Sequence, residues 1–360
     1  MPTPLKLMYN SAFVNDLTKA LSKYHPQLDK KQLHQHFSTN EWENAELKAR
    51  VILIAKALRD AIPGTYQETL DVLMPASQEF QTGYLPIFFP EFVSMYGLNE
   101  WNASLKALEV FTQSSSAEFA IRPFILQDEK RAMKQMLAWS KNNNVHIRRL
   151  SSEGCRPRLP WGMRLHSFVQ NPEPVLPILN NLKQDKELYV RKSVANHLND
   201  ISKDHPDLVL NIATDWMNKH EHTDWIVKHA LRTLLKQGDQ RALTLFGTGA
   251  GARIGMQAFN LHQKQINIGD KLSFLFSFEL QEKLRKDLRI EYAIDYLKSN
   301  GTYSRKVFKI TERSFDPGIH KFERNQGFQD LTTRKHYSGK HGISIIINGE
   351  VLDQLWFELR

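Results

Sequence analysis

The sequence predicts a mainly α protein that passes into a small β-sandwich. A helical periodicity, a recurring short signature and a later switch of period together predict it. From about residue 10 to residue 246 apolar residues recur at helical spacing, as in Leu47, Val51, Ile54, Leu58 and Ile62, then Val190, Val194, Leu198 and Ile201. Pro63-Gly64, Pro90, Gly97, Pro123, Pro206 and Gly238 punctuate these runs, leaving room for roughly a dozen helices. Four segments then share an Ile or Val followed by a base: Ala120-Ile121-Arg122, His146-Ile147-Arg148, Tyr189-Val190-Arg191 and Ile226-Val227-Lys228. The last two intervals are close to the period of HEAT-type helical pairs, roughly 40 residues. Such pairs bury both faces only by stacking, which predicts a HEAT-like helical-repeat solenoid with a concave surface. A generic helical bundle is the alternative.

Gly247-Thr248-Gly249-Ala250-Gly251 reads as a linker, placing a boundary between domains 1–250 and 251–360. Beyond it the period drops to two. Leu272-Ser273-Phe274-Leu275-Phe276-Ser277-Phe278, residues 288–297, Val307-Phe308-Lys309-Ile310, Ile343-Ser344-Ile345-Ile346-Ile347 and residues 351–359 have strand character, and Asn348-Gly349 marks a hairpin turn. Several short strands in about 100 residues predict an immunoglobulin-like β-sandwich. Its expected core includes Phe274, Phe276, Tyr292 and Trp356.

The composition narrows the function. Forty-eight Lys and Arg against thirty-nine Asp and Glu give a formal net charge of +9, which favours an anionic partner such as nucleic acid or a membrane surface. Cys155 is the only cysteine, so an internal disulfide and a thiolate zinc site are both excluded. A reducing, cytoplasmic setting is expected. Asp16, Lys19, Lys23 and His25 interrupt any secretory pattern. Apolar runs such as residues 51–55 fall far short of the roughly 20 residues of a membrane span.

The densest chemistry lies in residues 141–164. Lys141, Arg148, Arg149, Arg156, Arg158 and Arg164 stand against one acid, Glu153, with Trp161 among them and Gly154, Pro157 and Pro160-Trp161-Gly162 breaking the helix. Basic side chains interleaved with an aromatic at a tight turn suit phosphate contacts beside an exposed base; a solvated charged face with one core tryptophan suits the composition equally. Glu118 follows Ser114-Ser115-Ser116 near a helix start, where the dipole favours an anion. It is also four residues from Arg122, as a plain surface ion pair would be. Asp200 has its own plain alternative, an exposed helix residue. His34 and His36 are two apart and point to different helical faces, so no metal site is expected. Cys155 has no partner base beside it in sequence, which makes a nucleophilic cysteine unexpected.

Several stretches carry a family likeness: Phe89-Pro90-Glu91-Phe92-Val93 with Tyr96-Gly97-Leu98, residues 116–124 (SAEFAIRPF), residues 151–162 (SSEGCRPRLPWG) and residues 189–200 (YVRKSVANHLND). Over nearly the whole chain the sequence resembles the AlkC branch of the bacterial AlkC/AlkD DNA alkylation repair family. The last hundred residues are similar to an immunoglobulin-like extension carried by some AlkC members. The resemblance implies a HEAT-like fold and a monofunctional DNA glycosylase. Its partner is double-stranded DNA, from which it releases N3-alkylated bases, chiefly 3-methyladenine, while leaving the base largely unextruded. It implies Glu118, Glu153 and Asp200 as the acids near the lesion, Trp161 as the aromatic beside the deoxyribose and Arg149 as a backbone contact. Arg148, Arg156, Arg158, Arg191, Lys192 and Lys335 are the further candidate DNA contacts. Arg334, Lys335, His336, Lys340 and His341 form a basic loop through which the second domain could act as a clamp. No metal, cofactor or membrane partner is implied, and a monomer is expected. The rival reading is a non-catalytic HEAT-like module that binds DNA or protein.

Overall fold

Seventeen α-helices precede eight β-strands among residues 4–330 and 335–360, which are the residues that the computed structural model describes. Two compact units divide the chain. One comprises residues up to 205 with 216–230, the other residues 206–215 with 231–360. The second unit therefore holds helical residues as well as strands. Among the described residues no helix is long and apolar enough to cross a membrane.

In the first unit several helices pack against a helix two or three further along. Leu47–Ala61 packs on Phe88–Tyr96, Tyr66–Ser77 on Trp101–Ser114, Val145–Glu153 on Leu188–Ile201, and the last of these on Glu221–Ala230. That is the pairing of a HEAT-like repeat, where each layer touches only its neighbours. Local chemistry sets the helix starts. Thr65 and Glu68 form a reciprocal capping box, and the Asn144 side chain accepts the His146 amide at 2.9 Å to open Val145–Glu153. Phe88, Phe89, Phe92, Phe111 and Phe124 fill the interior, with Phe88 and Phe89 centroids 4.4 Å apart.

The recurring signature has a physical basis. Ile121, Ile147, Val190 and Val227 are all buried. In two of the four repeats the base that follows ties down the loop ahead of its own helix. Arg148 donates to the carbonyls of Asn142 and Asn143 at 3.0 and 2.8 Å, and Arg191 to those of Asp185 and Lys186 at 2.7 and 2.8 Å. Both reach six and five residues back. Arg148 also grips Asp185 with two hydrogen bonds, at 2.6 and 3.1 Å, joining one repeat to the next.

The second unit contains β1 (Ile254–Leu261), β2 (Gln265–Ile266), β3 (Lys271–Leu280), β4 (Lys286–Leu297), β5 (Tyr303–Phe315), β6 (Gly318–Gly327), β7 (Gly339–Ile347) and β8 (Glu350–Leu359). One sheet runs β1-β3-β6 and the other β2-β8-β7-β4-β5. All pairings are antiparallel except β2 with β8. Alternation in β3 sends Leu272, Phe274, Phe276, Phe278 and Leu280 inward. Tyr292 joins that core but Trp356 does not. Phe357 and Leu359 hold the inward parity of β8, so Trp356 lies on the outer face with the Lys340 ammonium 5.2 Å above its ring. Strands β1, β2 and β6 carry no apolar run and are absent from the sequence reading; β6 is an edge strand of alternating half-buried and polar positions. The predicted basic loop also changes character. His336 and His341 are buried against the Tyr296 and Phe328 rings, Lys335 is exposed, and Arg334 lies outside the described residues.

Asn348 and Gly349 turn β7 into β8 with φ of 50° and 80°, the left-handed pair that a type I′ hairpin needs. A Cβ at Gly349 would lie 2.7 Å from Leu243 Cδ1 and 2.9 Å from Gly238 Cα. Gly349→Ala is therefore expected to cost about 1–3 kcal/mol, seen as a lower denaturation midpoint. An unchanged midpoint would mean that the turn relaxes without loss.

Candidate active site

The helix Val145–Glu153 places Arg149 and Glu153 one turn apart on one face, and Leu188–Ile201 packs beside it with Ser193 and Asp200. Glu118 stands in the turn ahead of the helix Arg122–Gln127. Its carboxylate accepts from the Ser116 hydroxyl at 2.5 Å and from the Arg149 guanidinium, which also donates to Ser116 at 2.7 Å. The Glu118–Arg122 pair suggested by spacing does not form. Arg122 is fully buried and turned the other way, donating to the carbonyls of Gly154 at 2.8 Å and Met163 at 2.8 Å. Burial pulls its pKa down to about 10.

Glu153 is buried between cations and a hydroxyl. Arg156 donates to it at 2.6 Å, Ser193 at 2.6 Å, and Arg149 lies 3.5 Å away. Arg156 also donates to Asp200 at 2.8 Å, and Lys203 reaches the other Asp200 oxygen at 3.1 Å. Three carboxylates are thus matched by three cations in one chain of contacts. Arg149 further stacks its guanidinium 4.9 Å from the Tyr189 ring centre.

Between Val145–Glu153 and the short helix His166–Gln170, residues 154–165 make an excursion that carries Trp161. Its two ends are held by Arg122, through the Gly154 and Met163 carbonyls, and its tip by Lys48, which donates to the Trp161 carbonyl. At Gly154 a Cβ would meet Ile121 Cγ2 at 2.6 Å, so glycine there permits the close approach of the Glu118–Arg122 turn to the start of the excursion. Trp161 adopts φ of 65°, rare for a bulky residue, and leaves 62% of its surface exposed. Such strain persists only where the surroundings impose it. Glu118, Arg149, Glu153, Arg156, Trp161 and Tyr189 all line one cavity of about 430 Å³.

Family models match two parts of the chain: "DNA alkylation repair enzyme" over residues 112–234 and "Uncharacterised protein YhaZ, C-terminal Ig-like domain" over residues 255–360. An uncharacterised protein YhaZ of Bacillus subtilis is 46% identical over 99% of both chains. A solved structure of the alkylpurine DNA glycosylase AlkC of Pseudomonas fluorescens, bound to DNA containing an abasic site analog, is 40% identical and superposes with a TM-score of 0.96. The match covers 99% of this chain and 100% of that one. The chain belongs to the AlkC family.

Within this AlkC family member the predicted residues separate by their surroundings. Glu118, Arg149, Glu153, Arg156 and Trp161 share the cavity, and Asp200 joins them through Arg156. Arg148 and Arg191 hold loop carbonyls, while Arg158 forms two hydrogen bonds to Asp204 at 2.9 and 2.6 Å. Lys192 is exposed on Leu188–Ile201, and Lys335 is exposed in the second unit. Ser116, Ser193, His146 and Tyr189 are site residues that the sequence reading left without a role. The last two immediately precede the buried residue of a signature repeat, which was the available signal. Burial, and Arg149 beside it, hold the His146 imidazole below its ordinary pKa.

Cys155 is fully buried, its thiol donating to the Ser151 carbonyl at 3.1 Å, and burial raises its pKa to about 12. The native protein is expected to resist a thiol-specific disulfide reagent and to react fully once unfolded. Rapid native labelling would show that this part of the site opens.

Proposed function

We propose that the protein is a monofunctional DNA glycosylase of base excision repair, hydrolysing the N-glycosidic bond of small cationic N3-alkylated bases, chiefly 3-methyladenine. The observation that carries this reading is Glu118, a carboxylate oriented by Ser116 and Arg149 in a cavity that an exposed, strained Trp161 also lines. The name of the Pseudomonas fluorescens relative, and the DNA it holds, support it.

An N3-alkylated adenine already carries positive charge, so its departure needs no proton from a general acid. As the C1′–N9 bond breaks, its electron pair neutralises the base and the sugar takes on oxocarbenium character. A fixed carboxylate stabilises that charge and orients the attacking water, and an indole face attracts the same cation. The water oxygen then bonds to C1′ while its proton passes to the Glu118 carboxylate. Glu153 and Asp200, held by Arg156, fix the neighbouring wall. In this mechanism no residue activates a neutral leaving base, which accounts for a preference for labile cationic adducts. Arg149 and exposed lysines such as Lys192 would meet the DNA backbone.

The test is release of free base from methylated duplex DNA by the purified protein. Free 3-methyladenine is the expected product. DNA binding without any base release would favour a non-catalytic scaffold.

A further inference from the structure

Trp161 is gripped from outside its own loop. Lys48, in the first turn of Leu47–Ala61, donates from its ammonium to the Trp161 carbonyl across 113 positions of chain. The residues that follow Trp161 are fastened elsewhere. The Gly162 amide donates to the Leu159 carbonyl at 3.1 Å, and Arg122 donates to the Met163 carbonyl at 2.8 Å. A Cβ at Gly162 would lie 3.3 Å from Phe119 Cδ1, so the tip rests against the residue that follows Glu118. Lys48, Glu91, Ser94 and Trp161 line a small cavity of about 200 Å³ at the tip, whose other walls are largely apolar. Burial raises the Glu91 carboxyl and the Lys48 charge partly pulls it back, so the ammonium has a carboxylate as well as the carbonyl within its field.

A bulky residue at positive φ and a hydrogen bond from a charged donor are of similar size in energy and opposite in sign. Of the contacts at the tip just described, only the Lys48 bond is made to Trp161 itself, and Trp161 is the residue at φ of 65°. Resting on the glycosylase reading, we propose that Lys48 is a positioning residue for Trp161. It holds the Trp161 backbone in the left-handed conformation, so that the indole stays on the cavity wall it shares with Glu118. Because the bond is made to backbone, it fixes where the side chain starts and leaves the chemistry to the indole. Lys48 forms no bond to sugar or base. A lysine that met a phosphate instead would act through DNA affinity, with or without the indole.

Two measurements on the full-length protein test this. The first needs no DNA. Hydrogen exchange over residues 154–165 should quicken by about tenfold to a hundredfold in Lys48→Met, the range of one charge-assisted hydrogen bond, and return toward the parent rate in Lys48→Arg. Exchange within Leu47–Ala61 should not change, and parent-like exchange over residues 154–165 in Lys48→Met overturns the proposal. The second is a double-mutant cycle on single-turnover release of 3-methyladenine. Lys48→Met should slow release by about tenfold to a hundredfold in the parent and cause no further loss in a Trp161→Ala background. Duplex affinity and its salt dependence should stay the same. An equal loss in both backgrounds, or a loss carried by affinity, makes Lys48 a phosphate contact and overturns the positioning role. A wild type that releases no base fails the glycosylase reading instead, and exchange then still decides whether Lys48 holds the tip.

Discussion

Glu118→Gln is expected to lose base release by about a hundredfold to a thousandfold while binding DNA nearly as well as the parent, since a preorganised group aimed at developing charge contributes on this scale. The amide is isosteric and can still accept from Ser116 and Arg149, so the loop geometry should survive. What disappears is the negative charge and the capacity to take a proton from water. Arg149 does not become isolated, because Glu153 lies 3.5 Å away and Tyr189 faces its guanidinium plane. Unchanged or slightly tighter DNA binding is therefore expected, one carboxylate fewer facing the phosphates. The measurement is single-turnover release of 3-methyladenine beside duplex affinity at fixed salt. Near-normal release would move the water-orienting role to Glu153, the other acid lining the cavity.

The largest effect on stability is expected from Arg156→Ala. Arg156 is buried between Glu153 and Asp200, within 2.6 and 2.8 Å of them. Removing it leaves two buried carboxylates with fewer partners, and breaking a buried pair from one side costs about 3–5 kcal/mol. In a unit of this size the melting temperature should fall by on the order of 10 °C. Arg158→Ala serves as the comparison, since the Arg158–Asp204 pair is about a quarter exposed on both sides and should matter little. Equal melting temperatures for the two variants would show that water or Lys203 compensates for the lost guanidinium.

Sequence reasoning reached the fold where one period governs many residues. Leu47, Val51, Ile54 and Leu58 announce a helix because burial imposes their spacing, and β3 announces a strand through alternate phenylalanines. It missed β6 because an edge strand is held by backbone pairing to β3, which leaves no mark on side-chain polarity. Trp356 was misplaced for the opposite reason: size suggested core, and only the parity set by Phe357 and Leu359 decides the face. At the site, residue types were legible but partners were not. Four-residue spacing offered Glu118 to Arg122, whereas the fold gives Glu118 to Arg149 across 31 positions. Composition singled out Arg149, Glu153 and Trp161, and a helix start Glu118; the roles of the acids, Arg149 and Trp161 came from family likeness. Glu91 stood in a matching stretch, and only packing reveals that it lines a small cavity beside Trp161.

The arginines at 148 and 191 have a consequence beyond their own loops. Each counts back five and six residues to its carbonyls, so a deletion or insertion ahead of either helix would slip the ruler and release both bonds at once. Loop length in those repeats is therefore fixed from within, and chain variation must be accommodated elsewhere. The excursion of residues 154–165 is anchored differently, at its ends by Arg122 and at its tip by Lys48. Arg156 ties the excursion to the helices of Glu153 and Asp200, but beyond it the tip around Trp161 lies between fixed points and can change without disturbing those helices, which makes that tip the natural place for a repeat scaffold to acquire chemistry.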